Sequence, residues 1–304
     1  MSHGRLLLLD SASLYFRAFF GIPKTLKAPD GTVVNALRGI LDFTSTLTTQ
    51  YSPEAVVACW DDDWRPQWRV DLLDTYKTQR LDDEGGEADT TEGLLGPQVP
   101  LIAEAFDLLG IPVVGAADFE ADDVIGTLAE AWDGPVDIVT GDRDLFQLVD
   151  DDRGIRVLYV ARGVSKHDVV DNAWLRDKYG VDASSYVDFA VMRGDASDGL
   201  PGVAGIGDKT AAALLAEFGD LDGILAAAKA IDIRSSIKPR VRASLLDSVD
   251  YITAAREVVA VRRDVCELPD LSGAADAEAF TAFGQRWGLG GVTERALTAR
   301  SRWA

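Results

Sequence analysis

Residues 5–10 read Arg-Leu-Leu-Leu-Leu-Asp, and Ser11 to Phe20 follows as a helix that Ser11 is expected to cap, with apolar residues at helical spacing. An apolar run this short, ending on a carboxylate, has the pattern of a strand buried on both faces, and such a strand needs helices on either side. The same pattern returns along the chain. Ala55 to Trp60, Ile111 to Val114, Val136 to Thr140 and Ile155 to Val160 supply further short apolar strands, with a helical stretch from Asn35 to Gln50 and others between them. This alternation predicts an α/β fold with a mostly parallel central sheet flanked by helices. From about Ser185 the strand signal fades, and short helices with glycine-rich connections take over.

Length and composition bound the class. The chain has 304 residues, 47% hydrophobic and 26% charged, which suits a folded globular protein rather than a disordered one. No apolar run reaches the roughly 20 residues a membrane span needs, and the N-terminal apolar stretch is too short for a signal peptide, so the expected location is cytoplasmic with no membrane partner. Two cysteines, Cys59 and Cys266, and two histidines, His3 and His167, build neither a disulfide framework nor a zinc cage. The net charge of −20 argues at first against nucleic acid as a partner. It is unevenly spread: Asp82 to Glu92 is acidic, glycine-containing and expected to be solvated and mobile, whereas Lys229 to Arg242 is a local basic track.

Three strands end in aspartates: Asp10, Asp61, and Asp142 with Asp144. The carboxyl ends of strands in an open parallel sheet form the edge where ligands bind. One aspartate there is ordinarily a cap or turn residue; three strands ending so point to a shared site. Glu120, Asp122 and Asp123 open a further helix, where capping and the helix dipole account for acidic residues but not for three in four positions. Asp195 and Asp198 lie on a glycine-flanked turn. If these groups share a cleft they cannot all stay ionised without cations, since two unit charges about 4 Å apart repel by roughly 4 kcal/mol at an effective dielectric of about 20. An all-oxygen donor set favours Mg2+ or Mn2+, and its size suits two or more ions, an arrangement fit for phosphoryl chemistry. Gly202 to Ala211 is a glycine-rich turn opening a helix, whose amides and Lys209 could hold a phosphate. It departs from a nucleotide P-loop because Asp208 separates Gly207 from Lys209.

In ordered combination these residues resemble the 5′ nucleases: flap endonucleases, phage 5′ exonucleases and the N-terminal domain of bacterial family A DNA polymerases. The resemblance runs over nearly the whole chain through Leu9-Asp10 with Tyr15 and Arg17, Trp60-Asp61, Tyr76-Lys77 with Arg80, Glu120-Ala121-Asp122-Asp123, Thr140 to Leu145, Gly194-Asp195 to Asp198, and Leu200 to Thr210. No proofreading or polymerase region follows within these residues, so the resemblance is to a freestanding nuclease. It implies a PIN-like nuclease domain over 1–185, with a helical arch at about 65–100. A helix-three-turn-helix DNA-binding region follows over 186–262, and a C-terminal segment, 263–304, packs back on the nuclease domain. Asp10, Asp61, Glu120 and Asp122 would surround one metal, and Asp142, Asp144, Asp195 and Asp198 the other, with Asp123 in either shell. Tyr76, Lys77 and Arg80 match the basic end of the arch, Lys77 and Arg80 gripping the scissile phosphate.

The resemblance further implies duplex backbone contacts from Gly202, Gly205, Gly207, Lys209 and Thr210, often with K+, and weaker contacts near the 5′ end from Arg17 and Arg38. The expected partner is DNA with 5′ flaps, nicks or recessed 5′ ends, with no small-molecule cofactor. Recognition would then rest on structure rather than base sequence, and a local basic path would reconcile net acidity with DNA binding. The expected activity is metal-dependent 5′-3′ exonuclease and flap endonuclease cleavage in replication and repair. The competing readings are a PIN-type ribonuclease and a non-catalytic protein that binds DNA structures. Gly199 departs from the family's usual asparagine, which is expected to loosen its turn, and the acidic stretch from Asp82 lies in the arch, where its charge opposes a DNA strand.

Overall fold

The computed structural model describes residues 3–83, 91–230 and 237–303. Strands β1 (Leu6–Asp10), β2 (Ala55–Cys59), β3 (Val113–Val114), β4 (Val136–Thr140), β5 (Ile155–Tyr159) and β6 (Asp168–Val170) form one sheet, ordered β3-β2-β1-β4-β5-β6. All pairings are parallel except β5 with β6. Every residue of β1, β2 and β4 is buried, as their unbroken apolar runs require. β6 escaped the sequence reading because three residues are too few to show a period.

The helices are α1 (Ser11–Gly21), α2 (Asn35–Tyr51), α3 (Gln67–Leu72), α4 (Thr91–Leu95), α5 (Gln98–Leu108), α6 (Ala121–Ala131), α7 (Asn172–Tyr179), α8 (Tyr186–Arg193), α9 (Asp208–Phe218), α10 (Leu221–Lys229), α11 (Pro239–Asp247), α12 (Val249–Val259), α13 (Ala277–Arg286) and α14 (Gly291–Arg300). The two-residue alternation of β1 sorts them into layers. Leu7 and Leu9 enter one core with Leu14 of α1, Leu37 of α2, Ile102 of α5, Phe280 of α13 and Val292 of α14. Leu6 and Leu8 enter the other with Val124 of α6, Phe189 of α8, Leu214 of α9 and Ile252 of α12. Helices α13 and α14 pack on α5 and α2.

One local expectation is corrected. Asp10, not Ser11, caps α1: its Oδ1 accepts the N–H of Ser13 at 3.1 Å, while Ser11 is already helical. The last strand residue has the extended backbone a cap needs, and its carboxylate reaches the free amide of the first turn. The acidic stretch from Asp82 to Glu92 lies largely outside the described residues, as do Asp232 and Arg234 in the basic track. Among the described residues no helix is long and apolar enough to cross a membrane.

The helical second region joins the sheet through Phe146, which is fully buried in the 3-10 turn Asp144–Leu148. Its ring lies 5.0 Å from Tyr159 of β5, 5.6 Å from Trp174 of α7 and 5.5 Å from Tyr186 of α8. Truncating so enclosed an aromatic leaves a cavity that three elements cannot collapse. Phe146→Ala should therefore lower unfolding free energy by about 3–5 kcal/mol in urea titrations; a loss under about 1 kcal/mol would mean the joint is not packed this way.

Candidate active site

The adjacent strands β2, β1 and β4 deliver Asp61, Asp10 and Asp142 to one edge of the sheet. Asp10 is 5% exposed; besides capping α1, it accepts the Thr140 hydroxyl on Oδ2 at 2.6 Å. Asp61 accepts the N–H of Ala121 at 2.7 Å, tying the end of β2 to the start of α6. Asp142 donates its own N–H to Thr140 Oγ1 at 2.8 Å and accepts that of Asp144 at 2.9 Å. The turn after β4 is thus folded around its own carboxylates.

Glu120 is the residue preceding α6, and Asp122 and Asp123 occupy its first turn. Successive positions on a helix face different neighbours, and here they part company. Asp123 is fully buried with Oδ1 and Oδ2 each 2.8 Å from the Arg69 guanidinium, and Oδ1 also accepts the N–H of Arg262. Both oxygens being taken by arginine, Asp123 is a structural anchor rather than a member of the open carboxylate set, contrary to the expectation from spacing.

Ion pairing divides the remaining acidic groups. Glu120 pairs with Lys77 at 2.8 Å and Arg69 at 3.2 Å, Asp195 with Arg143 at 2.9 Å, and Asp198 with Arg80. Among the described residues Asp10, Asp61, Asp122, Asp142 and Asp144 have no ion-pair partner. Burial, aided by the charges of Asp61 and Asp142, pushes the Asp10 carboxyl up to about 7 against the hydrogen bonds from Thr140 and Ser13. Burial and then Asp142, Asp10 and Glu120 hold Asp122 well above the usual carboxylate range; burial with Asp142, Asp198 and Asp195 does the same for Asp144. Asp195 goes the other way, since hydrogen bonds from Ser197 and the arginines outweigh its burial. Among the described residues no three such groups converge tightly enough to hold a metal ion in these side-chain positions. The observation that matches divalent cations is the unpaired set itself: oxygen donors brought to one rim, of which Asp10, Asp122 and Asp144 are raised in proton affinity by burial and by neighbouring acids.

The segment from Thr75 to Arg80 packs against this edge through Glu120, Asp198 and Gly199. Of the residues that match the basic end of the arch, Tyr76 is 4% exposed with its hydroxyl on Glu120 at 3.0 and 2.9 Å. Lys77 is also buried, in the left-handed region at φ 49°, with its amide donating to Asp198 O at 3.0 Å. Burial opposes its charge, but Tyr76, Glu120 and Asp198 outweigh it and hold the ammonium well above its ordinary value. Gly199 does not loosen the turn as expected. At φ 72° it lets Thr75 approach so closely that a Cβ there would lie 1.9 Å from Thr75 O, and its carbonyl accepts the Thr75 hydroxyl at 2.7 Å. This close approach had no sequence signal, because it joins residues distant in the chain.

The expected DNA contacts separate by exposure. Val203 and Ile206 are buried and pin the glycine-rich turn, leaving Gly205, Gly207 and Lys209 exposed, with nothing within 4 Å of a Cβ at either glycine. Gly202 is half-buried, its N–H donating to the Tyr251 hydroxyl at 3.0 Å, and the amide of Thr210 is turned into the helix by its bond to Gly207 O at 2.9 Å. Arg38 is engaged away from the edge, donating to Gly288 O at 2.9 Å. Arg17 donates to Ala161 O at 3.0 Å and lines an open cavity of about 950 Å³ with Phe16, Phe20 and Arg162.

The comparisons with known proteins agree with this architecture. Residues 5–180 match the model of the 5′-3′ exonuclease N-terminal resolvase-like domain, and 181–277 that of the 5′-3′ exonuclease C-terminal SAM fold. A 5′-3′ exonuclease of Streptomyces coelicolor is 55% identical over 300 residues, covering 96% of this chain and 99% of that protein. DNA polymerase I of Mycobacterium bovis is 36% identical over 274 residues, covering 87% of this chain but 28% of the polymerase. Among solved structures, a bacteriophage T5 flap endonuclease complexed with DNA and metal ions shares the fold at a TM-score of 0.66 and 18% identity, covering 98% of this chain and 99% of that one. The chain belongs to the 5′-3′ exonuclease family.

Two outcomes follow for the site. A carboxyl that titrates at about 7 when folded and 3.8 when unfolded binds its proton more tightly in the folded state, so between those values stability falls as pH rises. In chelator, Asp10→Asn should flatten that fall and leave the protein more stable at pH 8 by roughly 1–4 kcal/mol, since asparagine still caps α1. Urea titrations across pH check this, and an unchanged slope would count against it. Gly199→Ala should destabilise by about 1–3 kcal/mol through the clash with Thr75; a melting temperature equal to that of the unaltered chain would exclude the close approach.

Proposed function

We propose that this chain is a divalent-metal-dependent, structure-specific 5′ nuclease that hydrolyses DNA phosphodiesters at flaps, nicks and recessed 5′ ends in replication and repair. The observation that carries the reading is the set of carboxylates with no ion-pair partner among the described residues, Asp10, Asp61, Asp122, Asp142 and Asp144, buried or half-buried where β2, β1 and β4 end and α6 begins in a chain of this family. Asp10, Asp61 and Asp122, with Glu120, would hold one Mg2+ or Mn2+; Asp142 and Asp144, with Asp195 and Asp198, the other. When bound at these carboxylates, such ions would activate a water and stabilise the leaving oxygen, the chemistry that leaves a 5′-phosphate and a 3′-hydroxyl.

The protein's own groups have separate tasks. Lys77 and Arg80, which hold Glu120 and Asp198 here, would turn to the scissile phosphate, so that the charge they neutralise in the free protein is exchanged for that of the transition state. Tyr76 fixes Glu120 through its hydroxyl. Gly205, Gly207 and Lys209 present amides and one cation to the duplex backbone, with K+ as the accompanying ion. Contacts of this kind carry no base sequence and make binding salt-sensitive. Arg17, beside the cavity at α1, is a candidate for the frayed end. Arg38 is a weaker one, its guanidinium being engaged with Gly288.

The test uses end-labelled 5′-flap, nicked and single-stranded DNA with Mg2+, Mn2+ or chelator. Cutting near the junction that requires metal and falls by at least about a thousandfold in Asp142→Asn is the expected result. Tight flap binding without cutting under any metal would favour a DNA-structure-binding protein, and a preference for RNA would favour the ribonuclease.

A further inference from the structure

Arg69 of α3 lies at the junction of three regions. It is 2% exposed. Its Nε donates to Val258 O at 3.0 Å, in the last turn of α12, while Nη1 and Nη2 each donate to Asp123 at 2.8 Å. Nη1 also lies 3.2 Å from Glu120 Oε2, and the Trp68 ring covers the guanidinium at 4.5 Å. Glu120 therefore receives Arg69 on one oxygen, Lys77 on the other at 2.8 Å, and the Tyr76 hydroxyl on both. The segment from Arg69 to Lys77 is fastened at both ends to one buried acidic pair. Lys77 holds a left-handed backbone that persists only where its surroundings over-determine it.

We propose that Arg69 is a positioning residue that fixes Glu120 and, through Glu120, sets where Lys77 stands at the reactive edge. The inference rests on the reading of the chain as a nuclease in which Lys77 acts on the scissile phosphate. A planar guanidinium can fork onto Asp123 while still reaching Glu120 and the α12 carbonyl; an ammonium offers one point charge and cannot span the three. The same side chain thereby references the arch base to both the sheet domain and the helical region.

Arg69→Lys in the full chain tests this on a 5′-flap duplex with Mg2+. The expected result is a kcat lower by on the order of ten- to a hundredfold, with KM within about twofold and a cooperative melt retained. In a Lys77→Ala background the same substitution should cost less than about threefold, because the residue it positions is gone. Independently of activity, amine labelling read by mass spectrometry should find Lys77 protected in the unaltered chain and modified faster in Arg69→Lys. Equal fold losses in both backgrounds, or unchanged kcat and unchanged protection in a folded variant, would overturn the proposal. Should Arg69→Lys not fold, Glu120→Gln removes the same link from the other side, and full Lys77 protection in it would overturn the proposal equally. Failure of the unaltered chain to cut any flap would instead overturn the reading of the function, while the labelling result would still decide whether Arg69 holds Lys77.

Discussion

Everything at the reactive edge is governed by the repulsion among carboxylates that the sheet forces together. Parallel strands buried on both faces must end at the same rim, so Asp10, Asp61 and Asp142 are neighbours by topology. The fold answers with two devices. Some carboxylates are given cations of their own, as Arg69, Lys77 and Arg80 do for Glu120, Asp123 and Asp198. Others are left without a cation, and burial together with neighbouring acids raises the proton affinity of Asp10, Asp122 and Asp144.

Asp137 shows that burial alone does not make such a site. It lies inside β4 with no exposure, yet Arg5, just before β1, at 2.7 Å and Arg156 of β5 at 2.6 Å neutralise it. A buried acid with two arginines is a closed account of charge; a buried acid beside other acids invites a cation from outside. That contrast separates the paired Asp137 of β4 from the unpaired Asp142 and Asp144 of the turn that follows it.

The segment from Arg69 to Arg80 joins Glu120 on one side to Asp198 and Gly199 on the other. The Thr75 hydroxyl on Gly199 O and the Lys77 amide on Asp198 O hold one side, and the side chains of Tyr76, Lys77 and Arg69 hold Glu120 on the other. Gly199 permits the first and Arg69 the second. A local feature that looked like a weakness, glycine in place of a larger residue, is the condition for close packing between segments more than a hundred residues apart.

Much of this was legible in the chain itself, because apolar periodicity and strand-end aspartates are local and additive. Residues 5–10 alone give a doubly buried strand that ends on a carboxylate, and the repetition of that pattern gives the parallel sheet and its acidic rim. What the chain did not disclose is which acids are spoken for. Asp122 and Asp123 are adjacent and identical in type, yet one faces the cluster and the other an arginine on α3. Arg69, Tyr76 and Gly199 likewise took their roles only when distant segments met. Pairing of charge and closeness of approach are properties of three-dimensional neighbours, so tertiary structure alone could assign them.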